Sequence, residues 1–263
     1  MTERFHQSAG VAALVTARQR AHALVAKSRA EAVRDLFDQL SELPGSDRIR
    51  PTEISMVRGR VGLEVRAGEC VVLGGASGVG KSTMLRTIYG NYLPSEGAVS
   101  VLHDGAYVDI AKAPPHVVLD IRRRTMGYVS QFLRVIPRIP TLTLVMEPLL
   151  ENGVDAVEAR ERAEAVLAML NLPQTLWPLL PATFSGGEQQ RVNIARVMVR
   201  DYPVLLLDEP TASLDAANRE TVIRLMNRAR ERGTAMVGIF HDEAVRDAIA
   251  TRFFDVTEYR RAA

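Results

Sequence analysis

The sequence predicts an α/β fold in which a parallel sheet is covered by helices. Three observations carry this. From Val61 onward, short β-type runs ("CVVLGG", "MGYVS", "PVLLLD", "TAMVGIF") alternate with helix-type runs such as "DAVEARERAEAVLAML", the texture of strand–helix–strand units. A glycine-rich stretch, "LGGASGVGKSTMLRTIYG", lies between the first apolar run and a helix-like run. "PVLLLDEP" has no charge inside an apolar run that closes on two acids. Such a strand is buried on both faces of a parallel sheet, and its carboxyl end is where open α/β sheets take ligands.

Size and composition bound the rest. At 263 residues the chain can bury one large core with an appendage. A net charge of only +2 gives no global field toward nucleic acid or an anionic membrane. The triple arginine, Arg122 to Arg124, reads as a solvated face. Cys70 is the single cysteine, which excludes an intramolecular disulfide, and its place in "ECVVLGG" reads as a buried structural thiol. The chain opens without an apolar signal core, and its apolar runs fall far short of the roughly 20 residues that span a bilayer. The expectation is a cytoplasmic protein without direct membrane insertion, any membrane contact being made through a partner.

Along the chain, residues 8–43 are rich in Ala, Arg and Glu with leucines at loosely helical intervals, and predict helix. "ELPGSDRIRP" then breaks the pattern as a linker does. This divides the chain into a helical N-terminal segment, 1–60, and a domain over 61–263. "SVLHDGAYVDI" carries Asp104-Gly105 between β-formers and reads as a hairpin.

Gly75, four residues, then Gly80-Lys81-Ser82 match the phosphate-loop pattern. A triphosphate brings several negative charges close to backbone. Glycines let the loop take strained dihedrals and turn its N–H groups inward. A helix starting near Lys81 aims its positive dipole end at the phosphates. Lys81 adds a full charge, and Ser82 offers a hydroxyl to Mg²⁺. This loop specifies a nucleoside triphosphate; it specifies neither hydrolysis nor a pathway.

Downstream, Asp208 is placed to hold Mg²⁺ through water, and Glu209 to polarise an attacking water. "TFSGGEQQRVNIARVMV" puts Ser185-Gly186-Gly187 at a helix start with Glu188 in its first turn. That is either a second anion-seeking helix N-terminus or a capping box without a ligand. Ser213 to Asp215 ("SLD") and His241 ("IFHDE") follow in order. His241 reads as a γ-phosphate contact, and Gln131 in "YVSQF" as a Mg²⁺ and water contact.

This ordered set resembles the nucleotide-binding domain of ABC ATPases, over about 200 residues from Val61 onward. The resemblance implies a P-loop NTPase fold of ABC type, with an antiparallel β-subdomain and a helical subdomain between Gln131 and the "SGGE" helix. It implies ATP and Mg²⁺ as cofactors, and a dimer in which two copies sandwich two ATP molecules. The implied nucleotide contacts are Gly75, Ala76, Ser77, Gly78, Val79, Gly80, Lys81, Ser82, Thr83, Gln131, Ser185, Gly186, Gly187 and Glu188. The implied Mg²⁺ ligands are Ser82, Gln131 and Asp208, and the implied catalytic residues are Glu209 and His241. Phe184 and Glu188 depart from the family's usual Leu-Ser-Gly-Gly-Gln; a glutamate facing the phosphate directly would be electrostatically costly.

Several longer stretches, "YGNYLPSEG" and "VSQFLRVIPRIPTL" among them, are similar to the L subunit of the bacterial carbon–phosphorus lyase system. That resemblance implies phosphonate metabolism, at the step that makes alpha-D-ribose 1-methylphosphonate 5-triphosphate, with the other lyase subunits as partners. Residues 1–60 are loosely similar to the G subunit of the same system; the alternative is a helix private to this chain. Two other functions stand beside it: the ATPase motor of a lipoprotein-release or macrolide-export transporter, and a docking module that has lost hydrolysis. ABC domains usually stack adenine on an early aromatic, yet no Phe, Tyr, Trp or His lies between Phe37 and Tyr89. Losing a stack of about 1–3 kcal/mol weakens nucleotide binding roughly 5- to 150-fold.

Overall fold

The computed structural model describes residues 62–131 and 138–259; the segment expected to be helical over 1–60 lies outside them. Five strands form one parallel sheet: β1 (Cys70–Gly74), β4 (Met126–Val129), β5 (Val204–Asp208), β6 (Ala235–Ile239) and β7 (Arg252–Asp255), in the order β4-β5-β6-β1-β7. Each neighbouring pair is parallel. The charge-free runs become the interior strands for a physical reason, since each buries both of its faces. Val71, Leu73, Leu206, Val237 and Ile239 join one core, while Cys70, Val72, Leu205, Leu207 and Met236 join another. Fully burying one such side chain stabilises by about 1.5–3 kcal/mol.

The core on one side is closed by α1 (Lys81–Ile88) through Leu85, by α2 (Pro115–Arg124) through Ile121, and by Val101. Val101 belongs to β2 (Ser100–His103), which pairs antiparallel with β3 (Ala106–Asp109). Their two-residue turn has Asp104 at φ 49° and Gly105 at φ 79°, the left-handed pair that a tight hairpin needs and Asp-Gly supplies. On the opposite core lie α3 (Thr141–Leu150), α4 (Ala156–Met169), α5 (Gly186–Met198), α6 (Ala216–Glu231) and α7 (Glu243–Ile249), through Leu144, Leu167, Val192, Val222 and Val245. Helices α3 and α4 fill the interval between Gln131 and the "SGGE" helix, and Arg196 of α5 pairs with Glu147 of α3 at 2.7 Å. This is the P-loop architecture of ABC type expected from the sequence.

The arginine triplet departs from a solvated face. Arg122 lies 4.6 Å over the Tyr89 ring and donates to Tyr89 O and Asn91 Oδ1. Arg124 pairs with Asp104 and Asp120, beside buried His103, tying α2 to the hairpin turn. Only Arg123 is an exposed side chain. The reach of Arg122 to Tyr89 and of Arg124 to Asp104 was hidden because those partners lie 33 and 20 positions away in sequence; the Asp120 partner of Arg124 is a local i,i+4 pair. Among the described residues, no helix is long and apolar enough to cross a membrane.

Candidate functional site

The site is assembled at the carboxyl ends of β1, β4, β5 and β6. After β1 the chain turns through Gly75, Gly78 and Gly80, all at positive φ (119°, 76° and 106°). Gly80 is the N-cap of α1 in the left-handed region and offers no side chain to cap it, so the first N–H groups of α1 are left to a ligand. At Gly75 a Cβ would lie 3.0 Å from Val79 and 3.1 Å from Thr257, so both the dihedral and the space require glycine. Ala76, Ser77 and Gly78 are exposed, whereas Val79 and Thr83 are buried. Lys81 Nζ donates to Gly75 O at 2.6 Å and Ala76 O at 2.9 Å, which folds the ammonium back over the loop.

Two acids follow β5. Asp208 is only 4% exposed. Its Oδ1 accepts from Ser82 Oγ at 3.2 Å and its Oδ2 from the Tyr128 hydroxyl at 2.8 Å. Glu209 takes a left-handed φ of 51°, which swings its carboxylate away from Asp208's strand geometry. Glu209 Oε1 lies 2.6 Å from His241 Nε2, and Oε2 accepts from Gln131 Nε2 at 3.3 Å. A cavity of about 230 Å³ opens here, lined by Glu209, Thr211, Ala212, Arg219, His241 and Asp242. Thus a cation-bearing loop, an aspartate–serine pair and a glutamate between a histidine and an amide meet in one place.

Comparison with known proteins agrees with this geometry. The ABC transporter family model matches residues 59–212. This chain belongs to the ABC transporter family of ATPases. Among its relatives is the lipoprotein-releasing system ATP-binding protein LolD of Aquifex aeolicus, 39% identical over 182 residues, covering 69% of this chain and 79% of that protein. The macrolide export ATP-binding/permease protein MacB of Brucella melitensis is 35% identical over 196 residues, covering 74% of this chain but 29% of that longer protein. Among solved structures, the ATP-binding cassette MJ0796, a dimer in a post-hydrolysis state bound to ADP and Pi, superposes with a TM-score of 0.66 at 33% identity, covering 73% of this chain and 83% of that one. Cassettes of this family bind ATP with Mg²⁺, hydrolyse it and dimerise. None of these relatives is a carbon–phosphorus lyase subunit.

In the cassette the "SGGE" segment forms a capping box. Ser185 is the N-cap of α5, and Glu188 turns back so that its carboxylate accepts from Ser185 N at 2.8 Å and Ser185 Oγ at 2.6 Å. Those bonds to Ser185 hold the Glu188 carboxyl below the usual range. Its charge is therefore occupied at the helix start, and an ABC cassette can carry glutamate here without aiming it at phosphate. Gly187 is confined, since a Cβ there would stand 2.9 Å from Ser213 O. Asp215 N-caps α6, accepting from Asn218 N at 2.8 Å. Gln131, expected at Mg²⁺, has its amide directed at Glu209.

Sequence reasoning missed four residues that position the site. Gln190, 2% exposed, donates to Ser130 O at 3.3 Å and Pro210 O at 3.0 Å, and Asn193 donates to Ser130 O at 2.7 Å. One face of α5 therefore holds both the loop that carries Gln131 and the loop that follows Glu209. Arg219 pairs with Asp242 at 2.7 Å and donates to Leu214 O at 3.3 Å, linking the "SLD" segment to the start of α7 beside His241. Tyr128 is the fourth. Polar residues at buried helical positions of α5 were the available signal for Gln190 and Asn193; nothing local marked the others.

Proposed function

We propose that this cassette is the ATP-hydrolysing motor of an ABC transporter, of the kind represented by lipoprotein-release and macrolide-export ATPases. The observation that carries the proposal is the junction of three ties at the sheet's carboxyl edge: Lys81 over its own loop, Ser82 on Asp208, and Glu209 between His241 and Gln131. Two hard oxygen donors 3.2 Å apart, Ser82 Oγ and Asp208 Oδ1, suit Mg²⁺. Held by Ser82 and Asp208, such an ion would supply charge neutralisation at the phosphates.

The chain's own residues supply the rest. The amides of Gly75 to Thr83 and the α1 N-terminus bind the phosphates, and Lys81 moves from carbonyl oxygens to phosphate oxygens. Glu209 accepts a proton from the attacking water while Gln131 holds one carboxylate oxygen. His241 bonds the other oxygen, and we assign it the γ-phosphate contact. Ser185, Gly186 and Gly187 serve the site of a second copy across an ATP-sandwich dimer, with Glu188 shaping that helix start as its cap. We place the domain boundary near residue 60, which the start of the family match at residue 59 supports.

The relatives support the transporter reading over the carbon–phosphorus lyase reading. The stretches that carried the lyase resemblance reach beyond the phosphate-handling motifs, but the LolD and MacB relatives match this chain over 182 and 196 residues. The test has two parts. Wild-type protein should hydrolyse ATP with Mg²⁺ and not with EDTA, and should co-isolate with membrane-embedded partners. A gene deletion that abolishes growth on phosphonate as sole phosphorus source, with no membrane partner recovered, would overturn the transporter assignment.

A further inference from the structure

Asp208 has two carboxylate oxygens with separate partners. Oδ1 faces Ser82, the proposed Mg²⁺ side; Oδ2 faces the Tyr128 hydroxyl at 2.8 Å. At 4% exposure little solvent is available to replace either partner. Tyr128 is itself fixed. Its ring stacks on Tyr89 with centroids 4.9 Å apart and 30° between planes, and the Arg122 guanidinium closes the stack at 4.6 Å from Tyr89. Tyr128 is on β4, opposite Leu206 of β5 in register, so its hydroxyl reaches along β5 to the strand's last residue. Gln131, three residues further on, reaches Glu209 in the same way.

We infer that Tyr128 is a positioning residue for the magnesium site. By donating to Oδ2 it fixes the rotation of the Asp208 carboxylate and presents Oδ1 to Ser82 and the cation. This rests on the assignment of Ser82 and Asp208 to Mg²⁺ made above. Two effects of the hydroxyl oppose each other. As a donor it withdraws charge from the carboxylate, which weakens attraction for a cation. As an anchor it removes the freedom of a buried carboxylate to turn away. Among the described residues, the hydrogen bond that Ser82 gives to Oδ1 is long, at 3.2 Å, so it holds the carboxylate weakly, and anchoring outweighs the charge effect.

The test compares wild type, Tyr128→Phe and Tyr89→Phe. Tyr128→Phe keeps the ring stack and removes the hydroxyl; Tyr89→Phe keeps the stack and leaves the Asp208 contact alone. Binding of a fluorescent ATP analogue is measured with saturating Mg²⁺ and with EDTA, after thermal melts establish folding. The affinity gained on adding Mg²⁺ should fall about 3- to 10-fold in Tyr128→Phe, the size of one ordinary net hydrogen bond, since the anchoring lost is partly offset by the charge regained on the carboxylate. Affinity in EDTA should be unchanged, and Tyr89→Phe should match wild type throughout. The half-saturating Mg²⁺ concentration for ATP turnover should rise by the same factor. An unchanged Mg²⁺ gain overturns the inference, as does a larger gain, which would mean the hydroxyl only withdraws charge. An equal loss in Mg²⁺ and in EDTA also overturns it, since that reports general damage. If wild type itself gains no affinity with Mg²⁺, the magnesium assignment fails and the inference falls with it.

Discussion

Glu209→Gln removes one proton acceptor while keeping the side chain's size. The wild-type carboxylate takes His241 Nε2 on Oε1 at 2.6 Å and the Gln131 amide on Oε2 at 3.3 Å. A glutamine has one acceptor oxygen and one NH₂. If its oxygen keeps His241, its NH₂ faces the Gln131 NH₂, and a flip of the Gln131 amide restores a donor–acceptor pair. The structural cost is then one weak hydrogen bond, about 1 kcal/mol or less. Chemistry suffers more, because an amide cannot take the proton of the attacking water. General-base catalysis contributes about 10²- to 10⁴-fold, so the barrier should rise by about 2.7–5.4 kcal/mol at 1.36 kcal/mol per decade. The assay is steady-state phosphate release, with ATP affinity and thermal stability measured on the same preparations. Turnover should fall at least a hundredfold, ATP affinity should stay within about threefold, and ATP should hold the variant as a dimer on size-exclusion chromatography. A variant that turns over within threefold of wild type would refute the role given to Glu209.

Three further outcomes follow from the same geometry. Gly187→Ala places a methyl 2.9 Å from the Ser213 carbonyl oxygen, a backbone atom that moves only with its loop; an overpacking cost of about 1–3 kcal/mol should lower the melting temperature by about 2–12 °C, and an unchanged melt would contradict the close approach. Cys70 is completely buried, and burial pushes its thiol up to about 12, so at pH 8 an aromatic disulfide reagent should modify native protein at least about tenfold more slowly than urea-unfolded protein; equal rates would refute its burial. The Arg124 guanidinium holds the Asp120 carboxyl below its usual range, so this contribution to stability is complete above the unfolded carboxyl value near 4 and is lost as pH falls through the lower, folded value. Melts of wild type and Asp120→Asn should therefore differ by a few degrees at neutral pH and converge on acidification; a gap that widens in acid would reverse the sign.

Much of the fold was legible because its signals are local. Charge-free runs such as "VLLLD" become strands with both faces buried. Asp104-Gly105 becomes a left-handed hairpin turn because few other dipeptides take two positive φ values cheaply. Lys81 starts α1 where the phosphate-loop spacing puts it. What stayed hidden joins residues far apart in sequence: Tyr128 to Asp208 across 80 positions, Asn193 to Ser130 across 63, and Arg122 to Tyr89 across 33. No periodicity encodes those distances. Glu188 was ambiguous because a carboxylate in a first helical turn serves a cap or a ligand equally well; here Ser185 supplies the nearer partners. The pathway was illegible for another reason. Residues that cradle phosphate report ATP handling and leave the partner open, and the stretches outside them that resembled the lyase L subunit sit in a chain 39% identical to a LolD over 182 residues.

Every role assigned above depends on polyphosphate being held by the loop from Gly75 to Thr83 together with the Lys81 ammonium. The most direct test is calorimetric titration of Mg²⁺-ATP into folded wild type and Lys81→Ala. Wild type should give saturable heat, and the variant should associate at least tenfold more weakly. Equal heats and affinities in both, or none in wild type, would contradict that mode of binding.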